Sequence, residues 1–337
     1  MTGRSRPFLS SFLFILAVVV GPSAPLAQSS SAIKVDAIPI QSFSRVEPDR
    51  RRFGQLEFRG GLVLTANNDR FGGISGLRID PDGRYFLAIT DRAYWLRGRI
   101  LAEGDRPTGI TDAEMAPMLG GDGKPMNGTR SQDTEALARA DGTLYVGIEH
   151  VHRIVRFDFS KLGFAARALP VASPPGMRDL PGNQGIEALV YVPKPLPLAG
   201  TLIAISERGL DADRNIRGFL IGGPTPGTFS VSRSKEFDVT DATLTPDGDL
   251  LILERHFSFT RGVGMRIRRV ALADVKPGAV LTGTVLIEAD NAHQIDNMEA
   301  IDTHRNAAGE TILTIISDDN FSPLQRTLLL RFALIEE

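Results

Sequence analysis

The sequence predicts an all-β fold, a β-propeller built from four-stranded blades. Three observations lead there. A short motif recurs at a period of about 50 residues, each copy runs into a strand–turn–strand pattern, and no stretch of useful length carries a helical period. Four short strands per period of about 50 residues is what one propeller blade requires.

The motif copies are Phe71-Gly-Gly-Ile-Ser-Gly-Leu77, Gln132-Asp-Thr-Glu-Ala-Leu137, Gln184-Gly-Ile-Glu-Ala-Leu189, Asp238-Val-Thr-Asp-Ala-Thr243 and Asp296-Asn-Met-Glu-Ala-Ile301. Their anchor positions, Ser75, Glu135, Glu187, Asp241 and Glu299, lie 60, 52, 54 and 58 residues apart. Turns follow at Pro81-Asp-Gly83, Asp141-Gly142, Pro246-Asp-Gly248 and Asn306-Ala-Ala-Gly309. Asp-Gly between two apolar runs is a strong hairpin signal. The second strands read Tyr85 to Thr90, Thr143 to Ile148, Thr201 to Ser206, Leu250 to Leu253 and Thr311 to Ser317.

Third strands follow, as in Met265 to Val270, and fourth strands, as in Thr228 to Arg233 or Gly283 to Glu288. The last repeat ends after its third strand, Thr327 to Leu334. Its missing partner is expected from Gly54 to Leu64, so that the N- and C-terminal strands close the ring and leave no sheet edge exposed. Five motif-bearing blades are counted, which makes a five- or six-bladed ring. The propeller domain is set at residues 54–337, behind an N-terminal extension at 28–53.

Residues 1–27 read as a signal peptide. Arg4 and Arg6 precede an apolar core from Phe8 to Val20, and small residues and prolines follow to Ala27. The apolar run is shorter than the roughly 20 residues a membrane span needs. Export to the periplasm or the medium is expected, with no membrane span after signal removal. Losing Arg4 and Arg6 takes the formal charge from −2 to −4.

Composition then excludes several classes. Near-zero charge argues against a nucleic-acid partner. Cys is zero, so disulfides, thiolate metal sites and cysteine nucleophiles are impossible. Gly72-Gly-Ile-Ser-Gly76 does not form a serine elbow, and phosphate-binding glycine loops are missing. His293 and His304 read as surface histidines. A monomer is expected.

The hairpins place acids on one rim. Residues equidistant from a turn face each other across a hairpin. Glu135 pairs in this way with Glu149, Glu187 with Glu207, Asp241 with Glu254, Glu299 with Asp318, and Ser75 with Asp91. Nine carboxylates are therefore expected at one mouth of the channel, and eight of them are taken as metal ligands: Glu135, Glu149, Glu187, Glu207, Asp241, Glu254, Glu299 and Asp318. Crowded carboxylates raise one another's pKa unless a cation or bases relieve them. Oxygen-only donors suit a hard cation, and Ca²⁺ is the expected ion. Arg92, Arg208 and Arg255 each follow a rim acid and would suit an anionic ligand.

These motifs, with Asp80-Pro-Asp-Gly83, Ile89-Thr-Asp-Arg92, Ser206-Glu-Arg208 and Leu253-Glu-Arg255, resemble the "esterase-like activity of phytase" family from about Gly54 to Leu334. The resemblance implies an exported bacterial propeller with a phosphatase- or esterase-like activity. The expected chemistry is metal-assisted hydrolysis of a small anionic ester, with Glu187, Glu299, Arg92, Arg208 and Arg255 as catalytic residues. Two alternatives stay open. One is a non-catalytic binding propeller of the cell envelope; the other is a lactonase-like calcium enzyme using Asn297 and Asn183. Ser75 departs from the acid pattern and makes the rim asymmetric.

Overall fold

The structure is a computed structural model describing residues 1–2 and 30–335. The expected signal segment from Arg4 to Ala27 lies outside the described residues. Among the described residues no helix is long and apolar enough to cross a membrane.

Five sheets, antiparallel except for one parallel pairing at the outer edge of the third, form five blades, and their innermost strands touch in a closed ring. Those inner strands are Ile74–Ile79, Thr134–Ala140, Ile186–Tyr191, Asp238–Leu244 and Asn297–Arg305, for blades 1 to 5. The Asp141-Gly142 turn shows why the sequence folds back here. Both residues sit at positive φ, 43° and 84°, the twist that matches paired strands.

Ring closure runs as the sequence predicts. Leu56–Ala66 pairs antiparallel with Thr327–Leu334, with Thr327 opposite Leu64 and Leu334 opposite Leu56. The segment ahead of it is built into the sheets as well. Val35–Ile40 adds the outermost strand of blade 5, and Ser31–Ala32 adds one to blade 1.

The core is divided into five slabs, one between each pair of neighbouring blades. Apolar residues from facing sheets fill each slab. Trp95 of blade 1, for example, meets Phe157 of blade 2 edge to face at 5.1 Å. Burying apolar surface between blades fixes the ring's diameter, and that diameter positions the channel-facing residues described next.

Candidate functional site

Every inner strand carries one β-bulge, and the bulged residues are Ser75, Glu135, Glu187, Thr240 and Glu299. A bulge inserts one unpaired residue and re-aims its side chain. The three glutamates line a cavity of about 1130 Å³ at the channel mouth. The two hydroxyl residues instead tie adjacent blades together. Ser75 Oγ donates to the Thr134 carbonyl at 2.6 Å, and Thr240 Oγ1 donates to the Met298 carbonyl at 3.0 Å. Thr134 and Met298 each precede the next blade's bulge, so the two contacts are equivalent by the ring's symmetry.

A second ring comes from the neighbouring strands, just beyond the residues paired across each bulge. It consists of Asp91, Glu149, Glu207, Arg255 and Asp318, and all five line the same cavity. Blade 4 therefore contributes Thr240 and Arg255, with no acid at either ring position.

This corrects two expected ligands. Asp241 and Glu254 each sit one residue off the ring position, and a one-residue slip turns a side chain to the other face. Asp241 is fully buried and accepts backbone N–H bonds from Ile301 at 2.9 Å and Ala242 at 2.8 Å. Glu254 is fully buried inside blade 4. It accepts from Arg266 Nε at 2.7 Å and from Arg268 Nε and Nη2 at 2.8 and 2.5 Å.

Two expected arginines also stand away from the cavity lining. Arg208 is held by Asp238 at 2.6 Å, and Arg92 stacks over the Phe321 ring at 3.3 Å. Arg255 does line the cavity and stands 2.8 Å from Glu299. Asn183 and Asn297 line it too. His304, read as a surface residue, is only 5% exposed.

The sequence profile of the phytase-like family, described as esterase-like activity of phytase, matches residues 69–321. The chain belongs to the phytase-like family. Among solved structures, the glutaminyl cyclase of Myxococcus xanthus is similar at 13% identity with a TM-score of 0.40, over 79% of this chain and 92% of that one. No curated protein matches the chain.

Electrostatics at the phytase-like mouth are strained. Burial, then the charges of Asp133 and Asp91, push Glu135 well above the usual carboxylate range. Burial, then Glu135 and Glu149, do the same to Glu187. Burial also lifts Glu149 and Glu299 to about 7, Asp318 to about 8 and Asp91 to about 6. Nine carboxylates line the cavity against three arginines.

Whether a cation fits is tested by Glu187. It is 8% exposed, lines the cavity, and takes no hydrogen bond from any described residue. Its oxygens open onto the cavity and the charge of Arg255 reaches it, yet the neighbouring carboxylates still raise its pKa, so a cation entering the cavity would relieve the crowding. Beside it lies a compact donor set in which the expected ligand Glu149 is joined by two residues not expected as ligands, Asp133 and His150. Asp133, Glu149 and His150 present ligand atoms within 4.8 Å of one another. Asp133 precedes its bulge by two residues, and His150 follows the ring residue Glu149. Only the pairing register brings them together.

Below the acids the channel is closed by Arg78, which the alignment also missed. Its guanidinium donates to the carbonyls of Leu77, Leu137, Leu189, Ala242 and Ile301. Each of these stands two residues after a bulge, one per blade. Asp241 lies 3.4 Å from the same guanidinium. Arg78 thus plugs the channel beyond the mouth without lining the mouth cavity itself.

Proposed function

We propose that this phytase-like propeller binds a divalent cation at its acidic mouth and hydrolyses a phosphate ester or a related ester there. Glu187 carries the reading: a cavity-lining carboxylate that takes no hydrogen bond from a described residue, set among Glu135, Glu149, Glu207 and Glu299. Asp133, Glu135, Glu149 and Glu187 would hold the ion, and their oxygen donors suit Ca²⁺. Such an ion supplies charge for an anionic oxygen and lowers the pKa of a bound water.

The chain's own residues would do the rest. Arg255 is held by Glu299 at 2.8 Å and by Glu207 at only 3.7 Å, loose enough for a substrate anion to compete for the guanidinium. Arg78 blocks the channel below and confines substrate to the mouth. The same reading has the mature chain acting as a monomer in the periplasm or the medium.

The test is a panel of phosphate mono- and diesters, carboxylic esters and lactones, assayed with Ca²⁺ and with chelator. Turnover of phosphate esters that chelator abolishes is expected. Ligand binding without turnover of any member would instead make this a binding propeller. Turnover of lactones alone would assign the mouth to carbonyl chemistry, for which Asn183 and Asn297 are in place.

A further inference from the structure

We propose that the hairpin tip of blade 4 is an aromatic clamp for the organic group of the substrate, so that the ester taken is an aryl ester rather than a polyphosphate. This rests on the phosphate-ester reading above and narrows it.

The hairpin overhangs the mouth. In blades 1, 2 and 5 the second strand ends at Thr90, Ile148 and Asp318, level with the acid ring. In blade 4 the strand Leu250–Ser258 continues three residues past Arg255 and stays paired with its partner, Ser258 opposite Gly262. The extension carries two large apolar side chains into solvent. Phe257 is 60% exposed and lines the cavity, and Phe259 is 99% exposed. Their rings meet edge to face, 5.6 Å apart and inclined at 69°. Leu324, on a blade 5 loop, is 91% exposed and lines the same cavity. The mouth therefore has apolar walls above an acidic floor.

Charge selects the kind of ester. Each of the three lining arginines already has a partner: Arg255 with Glu299, Arg326 with Asp296 at 3.4 Å, and Arg45 donating to the His293 carbonyl. A polyphosphate would bring several negative charges to a floor that is short of cations. A single phosphate group brings one or two, far less repulsion for the same floor. The remaining surface of the ligand then meets Phe257 and Phe259. Planar rings pack edge to face or offset on such a pair, with centroids about 4.5–7 Å apart.

Calorimetric titration with phenylphosphonate and methylphosphonate, in Ca²⁺, tests this without turnover. The wild type should bind the phenyl compound about tenfold more tightly, and in F257A/F259A the ratio should fall to about one. Both side chains are exposed, so melting should stay close to wild type and show that the variant is folded. A ratio near one in the wild type, or a ratio retained in the variant, overturns the clamp. If methylphosphonate binds without a phenyl preference, only the clamp falls. If neither phosphonate binds, the phosphate-ester reading falls and the clamp with it.

Discussion

The guanidinium of Arg78 lies 2.8 Å from the carbonyl oxygen of Leu189, and the same group reaches one carbonyl from each of the other four blades. One side chain thus ties five inner strands to a common centre and faces the buried Asp241 at 3.4 Å. Breaking a buried charge pair by removing one partner costs about 3–5 kcal/mol, because the other charge is left uncompensated. R78M is expected to lose about that much stability in a denaturant titration. In R78M/D241N the loss should be smaller than the sum of the two single losses. A loss below about 1 kcal/mol for R78M would contradict the plug.

The bulge register separates ligand positions from structural ones. T240V removes one hydroxyl bond between blades and should cost about 1 kcal/mol, leaving any response to Ca²⁺ intact. E187Q keeps the size of the side chain and removes its charge. It should abolish the Ca²⁺ response and lower turnover by orders of magnitude while the fold survives. E299Q should weaken substrate binding through Arg255, which shows as a raised KM. Melting and turnover of the three variants check this together. A Ca²⁺ response lost in T240V but kept in E187Q would reverse the assignment.

Gly185 guards the position of Glu149. Its N–H donates to Glu149 Oε1 at 3.1 Å, and a Cβ added there would stand 2.6 Å from Glu149 Cγ. Carbon atoms do not approach that closely, so G185A must displace the carboxylate. Ca²⁺ affinity in G185A should fall at least about tenfold, roughly 1.4 kcal/mol. Unchanged affinity would remove Glu149 from the ligand set.

Stability should depend on His304 at acid pH. Burial first, and then the charge of Arg331, hold the His304 imidazole down to about 4, below its ordinary 6.5. Above 6.5 neither the folded nor the unfolded chain protonates it, and it contributes no pH dependence. As pH falls from 6.5 towards 4, the unfolded chain takes a proton that the folded chain refuses, so stability is lost across that window. H304Q cannot titrate. The stability difference between wild type and H304Q should be flat above 6.5 and should move against the wild type below it. Parallel pH curves would contradict the burial of this imidazole.

The architecture was legible because its signals are local. Tight Gly-containing turns and apolar strands mark the hairpins, and Thr327–Leu334, a third strand with no fourth after it, pointed to Leu56–Ala66 as its partner. The site was legible only in part, because a bulge adds a residue that alternation does not display. Aligning the acid–Ala pair placed Asp241 with Glu187, whereas the pairing register places Thr240 there and Asp241 with Ala188. The same slip exchanged Glu254 for Arg255. Arg78 was missed for a related reason: an arginine next to strand apolars reads as solvent-facing, yet here it occupies the axis and is 6% exposed.

The central claim is that the mouth is a cation site, and melting of the wild type in excess Ca²⁺ against chelator tests it most directly. A ligand bound only by the folded state stabilises it by about 2.7 kcal/mol at a hundredfold excess over Kd. The account predicts a raised Tm with Ca²⁺ in the wild type and no rise in E187Q. Equal melting temperatures for the wild type in Ca²⁺ and in chelator would contradict it.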